Sequence, residues 1–125
     1  MRTVEIPKAD WVEWLDRFTQ VHDGWLVSVD VLRPDLGAQL EIDNLPLIGV
    51  SADQIDYDGT IAISVARTSG LHFTHVVHRV TRIYAEQTDS GADAALEIES
   101  GDGSKTILRF RVAALPETVD GILRP

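Results

Sequence analysis

The sequence predicts an α+β fold: an N-terminal helix packed on a strongly curved antiparallel sheet, or small open barrel, of about six to eight strands. Three observations predict it. Apolar residues recur at helical period in only one place, where Trp11, Trp14, Leu15, Phe18 and Val21 form a single stripe. From Trp25 onward the chain alternates apolar and polar residues in short runs. Those runs are separated by turn-forming residues, with no second helical pattern between them. A chain of 125 residues is expected to fold as one domain, residues 1–125.

Met1 to Ile6 reads as a short lead or an added edge strand. Pro7 suits a first helical turn, and Asp10 with Glu13 has the form of a capping box, so the helix starts between residues 7 and 11. Glu13 and Arg17 are spaced as an i,i+4 pair. His22 suits the last turn and Gly24 the left-handed position beyond it.

Trp25 to Leu32 is the first expected long strand, with Trp25, Val27, Val29 and Val31 inward. Arg33 to Gly37 is a turn, and Ala38, Leu40 and Ile42 are expected inward on the next strand. An even loop of Arg33 to Leu36 would set Val29 across from Leu40. Asn44-Leu45-Pro46 interrupts the alternation, so a bend, bulge or edge is expected there. Further strands are expected over Leu47 to Gln54 and Thr60 to Arg67, joined by a hairpin turn at Asp56 to Gly59.

Leu71 to Gln87 is too long for one strand and should bend between His78 and Thr81. In the last hairpin, the inward sets Leu96, Ile98 and Thr106, Leu108, Phe110 are all even-numbered. Their pairing requires an odd loop, three or five residues long, with a left-handed glycine. Glu97 is expected opposite Arg109 or Arg111. Leu115-Pro116-Glu117 should begin a short C-terminal turn, with Val119, Ile122 and Leu123 packing back.

The totals exclude several function classes. There is no cysteine, so disulfides, thiolate catalysis and cysteine zinc sites are absent. No apolar run approaches ~18 residues, so no helical span is expected, and Met1 to Pro7 lacks a signal-peptide core. A cytoplasmic location follows as an expectation. The net charge of -9 repels phosphate backbones and anionic lipid, which argues against membrane and nucleic-acid partners.

Several segments carry a resemblance that spans nearly the whole chain. They are Gly24-Trp25-Leu26-Val27, Pro34 to Ala38, Leu45-Pro46-Leu47, Gly91 to Leu96, Leu108 to Arg111, Leu115-Pro116-Glu117 and Val119-Asp120-Gly121. In these the sequence resembles an uncharacterised bacterial family, domain of unknown function number 5335. The resemblance implies no activity, ligand or catalytic residue. A looser, architectural likeness is to small barrels of the Sm type, which also set an N-terminal helix before a bent antiparallel sheet. No RNA-contact motif of that type is present.

Chemistry-bearing residues are few. His72, His75 and His78 lie within seven residues and could serve a metal or ligand. On a strand, however, His72 and His78 share a face that His75 does not. Asp53, Asp56 and Asp58 before Gly59 resemble part of a calcium loop, but Val65 would occupy the closing position and cannot coordinate. There is no G-x-S-x-G elbow and no phosphate-binding glycine loop. Arg67, Arg79, Arg82, Arg109 and Arg111 could form a basic patch, with Glu86, Glu97 and Glu99 placed to neutralise it.

No catalytic residue, metal site or cofactor is therefore expected. The ligand or interface candidates are His72, His75, His78, Arg79, Arg82, Arg109 and Arg111. The leading reading is a non-enzymatic module acting through a sheet face or edge on a partner protein, its own copy or a small ligand. The alternative is an enzyme or sensor using the His72-His75-His78 region. Nucleic-acid binding through the arginine face ranks last.

Overall fold

The computed structural model describes residues 1–53 and 59–114. The chain runs β1 (Arg2–Ile6), a 3₁₀ turn (Lys8–Asp10), α1 (Trp11–His22), β2 (Leu26–Arg33), β3 (Gly37–Ala52) and β4 (Ile61–Ala66). It continues through a second 3₁₀ turn (Thr68–Gly70) into β5 (His72–Val77), β6 (Val80–Gln87), β7 (Asp93–Ser100) and β8 (Lys105–Ala114). The strands form one antiparallel sheet in the order β1-β6-β7-β8-β2-β3-β4-β5. Among the described residues the ladder does not close, so β1 and β5 are its edges. This is the α+β fold expected, one helix on a curved open sheet of eight strands.

Helix α1 lies against β3. Its buried stripe is Trp11, Leu15, Phe18 and His22, with Trp14 partly buried. Val21, expected on this stripe, is exposed, because the buried face continues through His22 instead. Leu15 and Phe18 are each worth about 1.5–3 kcal/mol of burial. Three hydrogen bonds fix the helix. The Trp11 indole donates to the Ile6 carbonyl at 2.9 Å. The Thr19 hydroxyl donates to the Val50 carbonyl at 3.0 Å and accepts from the Val50 N–H at 2.9 Å.

Close approach at this contact requires Gly49, since a Cβ there would stand 3.0 Å from Thr19 Cγ2. The Asp10–Glu13 capping box does not form: Asp10 is helical in backbone and makes no side-chain cap. Its N–H already bonds to the Pro7 carbonyl at 2.9 Å, so the helix is entered through the preceding 3₁₀ turn. No ion pair joins Glu13 to Arg17 among the described residues.

The two strands expected around Asn44 are one strand. β3 pairs with β2 through its first part and with β4 through its second. Three register shifts interrupt its ladders, one against β4 between Leu47 and Gly49 and two against β2. Of the latter, one lies between the pairs Val27–Leu45 and Val29–Ile42, where Asn44 takes a φ of 56°. The other lies between Val29–Ile42 and Asp30–Leu40, leaving Glu41 as the extra residue.

The expected Val29–Leu40 pairing is therefore wrong. The β2–β3 turn is Pro34 to Leu36, three residues between the paired Arg33 and Gly37, and this odd loop places Leu40 opposite Asp30. Ala38 and Leu40 consequently point outward, and only Ile42 of the expected inward set is buried.

The β7–β8 hairpin follows expectation. Leu96 meets Leu108 and Ile98 meets Thr106. Gly101 to Gly103 make the odd loop, with Gly103 at φ 88° and its N–H donated to the Ser100 carbonyl at 3.1 Å. The expected Glu97 pairing does not occur, because Glu97 sits across from Ile107. Lys105 Nζ instead lies 3.6 Å from Glu97 and 3.7 Å from Glu99.

The bend between β5 and β6 falls at His78-Arg79, with Arg79 at φ 53°. Two residues thus carry the chain from one end of the strand order almost to the other. The Asp56 to Asp58 turn and the segment from Leu115 lie outside the described residues. No described helix is long and apolar enough to cross a membrane.

Candidate functional site

The odd β2–β3 loop creates the most distinctive surface. It turns Leu40, 55% exposed, onto the outer face beside the Leu32–Ala38 pair. Leu36, 62% exposed, stands at the turn of the same arm, and half-buried Ile107 continues the strip across β8. An apolar strip on an otherwise charged face is the usual mark of a contact surface.

A polar zone borders the strip. Arg109 donates through Nε (3.1 Å) and Nη2 (2.6 Å) to Asp30 Oδ2. Beyond it a shallow cleft of about 310 Å³ is lined by Ser28, Asp43, Asn44, Arg109, Phe110 and Arg111. The positive φ of Asn44 turns its N–H onto the Ser28 hydroxyl at 2.9 Å, which holds the cleft wall. Arg111 is exposed and makes no ion pair among the described residues. An exposed pair such as Arg109–Asp30 adds at most about 1 kcal/mol of stability, so its role here is to fix the guanidinium in place.

The remaining sequence candidates scatter. His72 faces outward and is exposed, whereas His75 shares the inner face with Phe73 and Val77 and is half-buried. Burial holds the His75 imidazole below its ordinary value of 6.5; Glu41 opposes this shift and Arg33 reinforces it. His78 and Arg79 lie in the corner after β5, both exposed, and the Arg79 carbonyl accepts from Gly101 N–H at 2.9 Å. Arg82 donates to the Tyr84 hydroxyl at 3.2 Å on another strand. The three histidines do not converge, and no cluster of three metal-ligating side chains exists among the described residues. Of the arginines, Arg109 and Arg111 share the cleft, while Arg79 and Arg82 do not reach it.

One polar site escaped the sequence reading altogether. His22 is 1% exposed, and its ring is packed by Phe18 at 4.5 Å, Trp25 at 4.6 Å and Phe110 at 4.6 Å. Nδ1 lies 2.8 Å from the Phe18 carbonyl, an acceptor only, so Nδ1 carries a proton. Nε2 stands 3.3 Å from Asp93 Oδ2, an ion-pair distance that misses hydrogen-bond alignment. Burial pushes the Asp93 carboxyl up, but His22 and the Gln87 amide (3.1 Å) outweigh it and hold the carboxyl below its ordinary value.

Nδ1 is thus engaged, while the buried Nε2 faces Asp93 without a hydrogen-bond partner among the described residues. The pair ties the end of α1 to the start of β7. The one sequence signal was spacing: His22 stands four residues after Phe18 and eleven after Trp11, on the helix's apolar face.

These features define a class of protein, a helix-covered open antiparallel sheet of eight strands. The chain belongs to the family of unknown function DUF5335, whose model matches residues 2–118. It is also similar to an uncharacterized protein of Aquifex aeolicus (strain VF5), 30% identical over 118 residues that cover 94% of this chain and all of the relative. No solved structure matches the chain.

Proposed function

We propose that the chain is a non-enzymatic interaction module and that its working surface is the outer face of β2, β3 and β8. The observation that carries this reading is the outward-facing Leu40 opposite Asp30. Across the Glu41 bulge Ile42, the next apolar residue of this alternating run, returns to the core, whereas Leu40 joins Leu32 and Leu36 in solvent. Water contact over such a strip is unfavourable by roughly 25 cal/mol per Å², and a partner that covers it recovers that free energy.

The fitting partner is a protein surface with apolar side chains and a carboxylate. The apolar groups would cover Leu32, Leu36 and Leu40, and the carboxylate would meet Arg111 in the adjacent cleft. The dispersal of His72, His75 and His78 favours this over an enzyme that uses them.

Affinity capture from cells of the source organism, comparing the parent chain with Leu40→Glu and Arg111→Glu, tests the proposal. A protein captured by the parent and lost with both variants supports it. Identical capture by all three chains removes the outer face as the working surface.

A further inference from the structure

The free edge of β5 offers a second, independent surface. Its hydrogen-bonding pattern can be read from one bond. Arg67 N–H donates to the Leu71 carbonyl at 2.6 Å where β4 turns back as β5. From there the β4–β5 ladder runs through six pairs without a register shift. In an antiparallel ladder, bonded and non-bonded pairs alternate. Phe73, His75 and Val77 therefore bond to β4, whereas His72, Thr74 and Val76 turn N–H and C=O to the open side.

Nothing on β5 obstructs that side. The strand His72–Val77 carries no Lys, Arg, Asp, Glu or Pro and no bulge. Its outward side chains are exposed, Val76 by 42%. The opposite edge differs. β1 presents Arg2 and Glu5, is followed by Pro7, and is preceded by an N-terminal ammonium 2.7 Å from Asp89. Such charges and prolines are how strand edges resist pairing with other chains.

We propose that β5 pairs antiparallel with β5 of a second copy, about a twofold axis through Thr74. This register matches the open groups completely. Thr74 of one copy bonds to Thr74 of the other, and each His72 bonds to a Val76, giving six N–H···O bonds. On the inner face each Phe73 adjoins the other copy's His75.

Charge selects the same arrangement. Two copies each carry -9, so they repel over most approaches, and an edge strand without formal charge is where that repulsion is least. The contact is self-complementary and closes on itself, while the charged β1 edge discourages further strand addition.

Sedimentation velocity from about 1 μM to about 1 mM spans the range in which a small interface of this kind associates. Reversible dimerisation is expected. Thr74→Pro removes an outward N–H without touching the β4 ladder, and Val76→Lys places two cations on the edge. Each should weaken the dimer at least about tenfold, with circular dichroism and melting temperature reporting an intact fold.

A parent chain that stays monomeric throughout overturns the proposal. So does a dimer that both variants leave unchanged. A dimer broken by Leu40→Glu but not by Val76→Lys also overturns it, and assigns self-association to the leucine strip. Should Thr74→Pro fail to fold, Val76→Lys alone decides.

Discussion

His22 and His75 are both shielded from water, and the chain treats them in opposite ways. Around His22 the enclosure is complete. Three aromatic rings pack against the imidazole, Nδ1 is bonded to the Phe18 carbonyl, and Nε2 faces Asp93 at 3.3 Å. His75 lies on the last strand of the open end, half-buried, and its imidazole is held below its ordinary value chiefly by lost hydration. The comparison separates two regimes of one sheet. Near α1, β7 and β8 the side chains are fully enclosed. Toward the β2–β3 arm and β5 they are half-covered or left exposed.

The largest expected effect lies in the closed region. His22→Ala removes a ring from a packed box and leaves Asp93 without its imidazole neighbour, so we expect a loss of about 3 kcal/mol in urea unfolding. Asp93→Asn keeps the shape and should cost less, about 1–2 kcal/mol. It should also change the acid limb. The Asp93 carboxyl is held below its ordinary value of 3.8, so its contribution is complete above that value and is lost as pH falls through the lower folded value. The parent should therefore lose stability on acidification more steeply than Asp93→Asn. Equal acid limbs would show that the pair contributes nothing.

Gly49→Val tests the seam between the regions. Its side chain would meet Thr19, whose hydroxyl is already committed to Val50, and we expect a loss of about 1–3 kcal/mol by thermal unfolding.

His75→Leu should act in the other direction, mildly. The unfolded chain protonates His75 near 6.5 while the folded chain resists, so the parent loses stability as pH falls below that value. The variant should lose less between pH 7 and about 5, a difference under about 1 kcal/mol. A parent whose melting temperature is flat across that interval would contradict the account. The smallest effect belongs to the arm. Leu40→Glu should shift stability by about 0.5 kcal/mol or less, because nothing in the fold covers Leu40.

The sequence made some of this legible and not the rest, for physical reasons. Parity alone fixed the β7–β8 loop as odd, since both inward sets are even-numbered. The bend at His78-Arg79 followed from strand length. Parity failed on β3 because a bulge resets it: Glu41 and Asn44 are unremarkable polar residues, and only the pairing with β2 shows where the register slips. Of the candidate site, Arg109 and Arg111 were legible as outward charges on the β8 face. The leucine strip was not, because Leu40 carries the signature of a core residue. Nor was His22, since a polar side chain on an apolar stripe looks like its boundary until an aspartate from a distant strand is seen to meet it.

The Glu41 bulge has a consequence for how this chain tolerates change in length. Val29–Ile42 and Asp30–Leu40 are adjacent rungs with Glu41 squeezed out between them. A chain lacking that residue would keep both rungs and make the ladder regular. The same leucines would stay in solvent and the same isoleucine in the core. One position in the middle of a sheet is thus dispensable by count, a place where relatives can differ by a residue without any other residue changing sides.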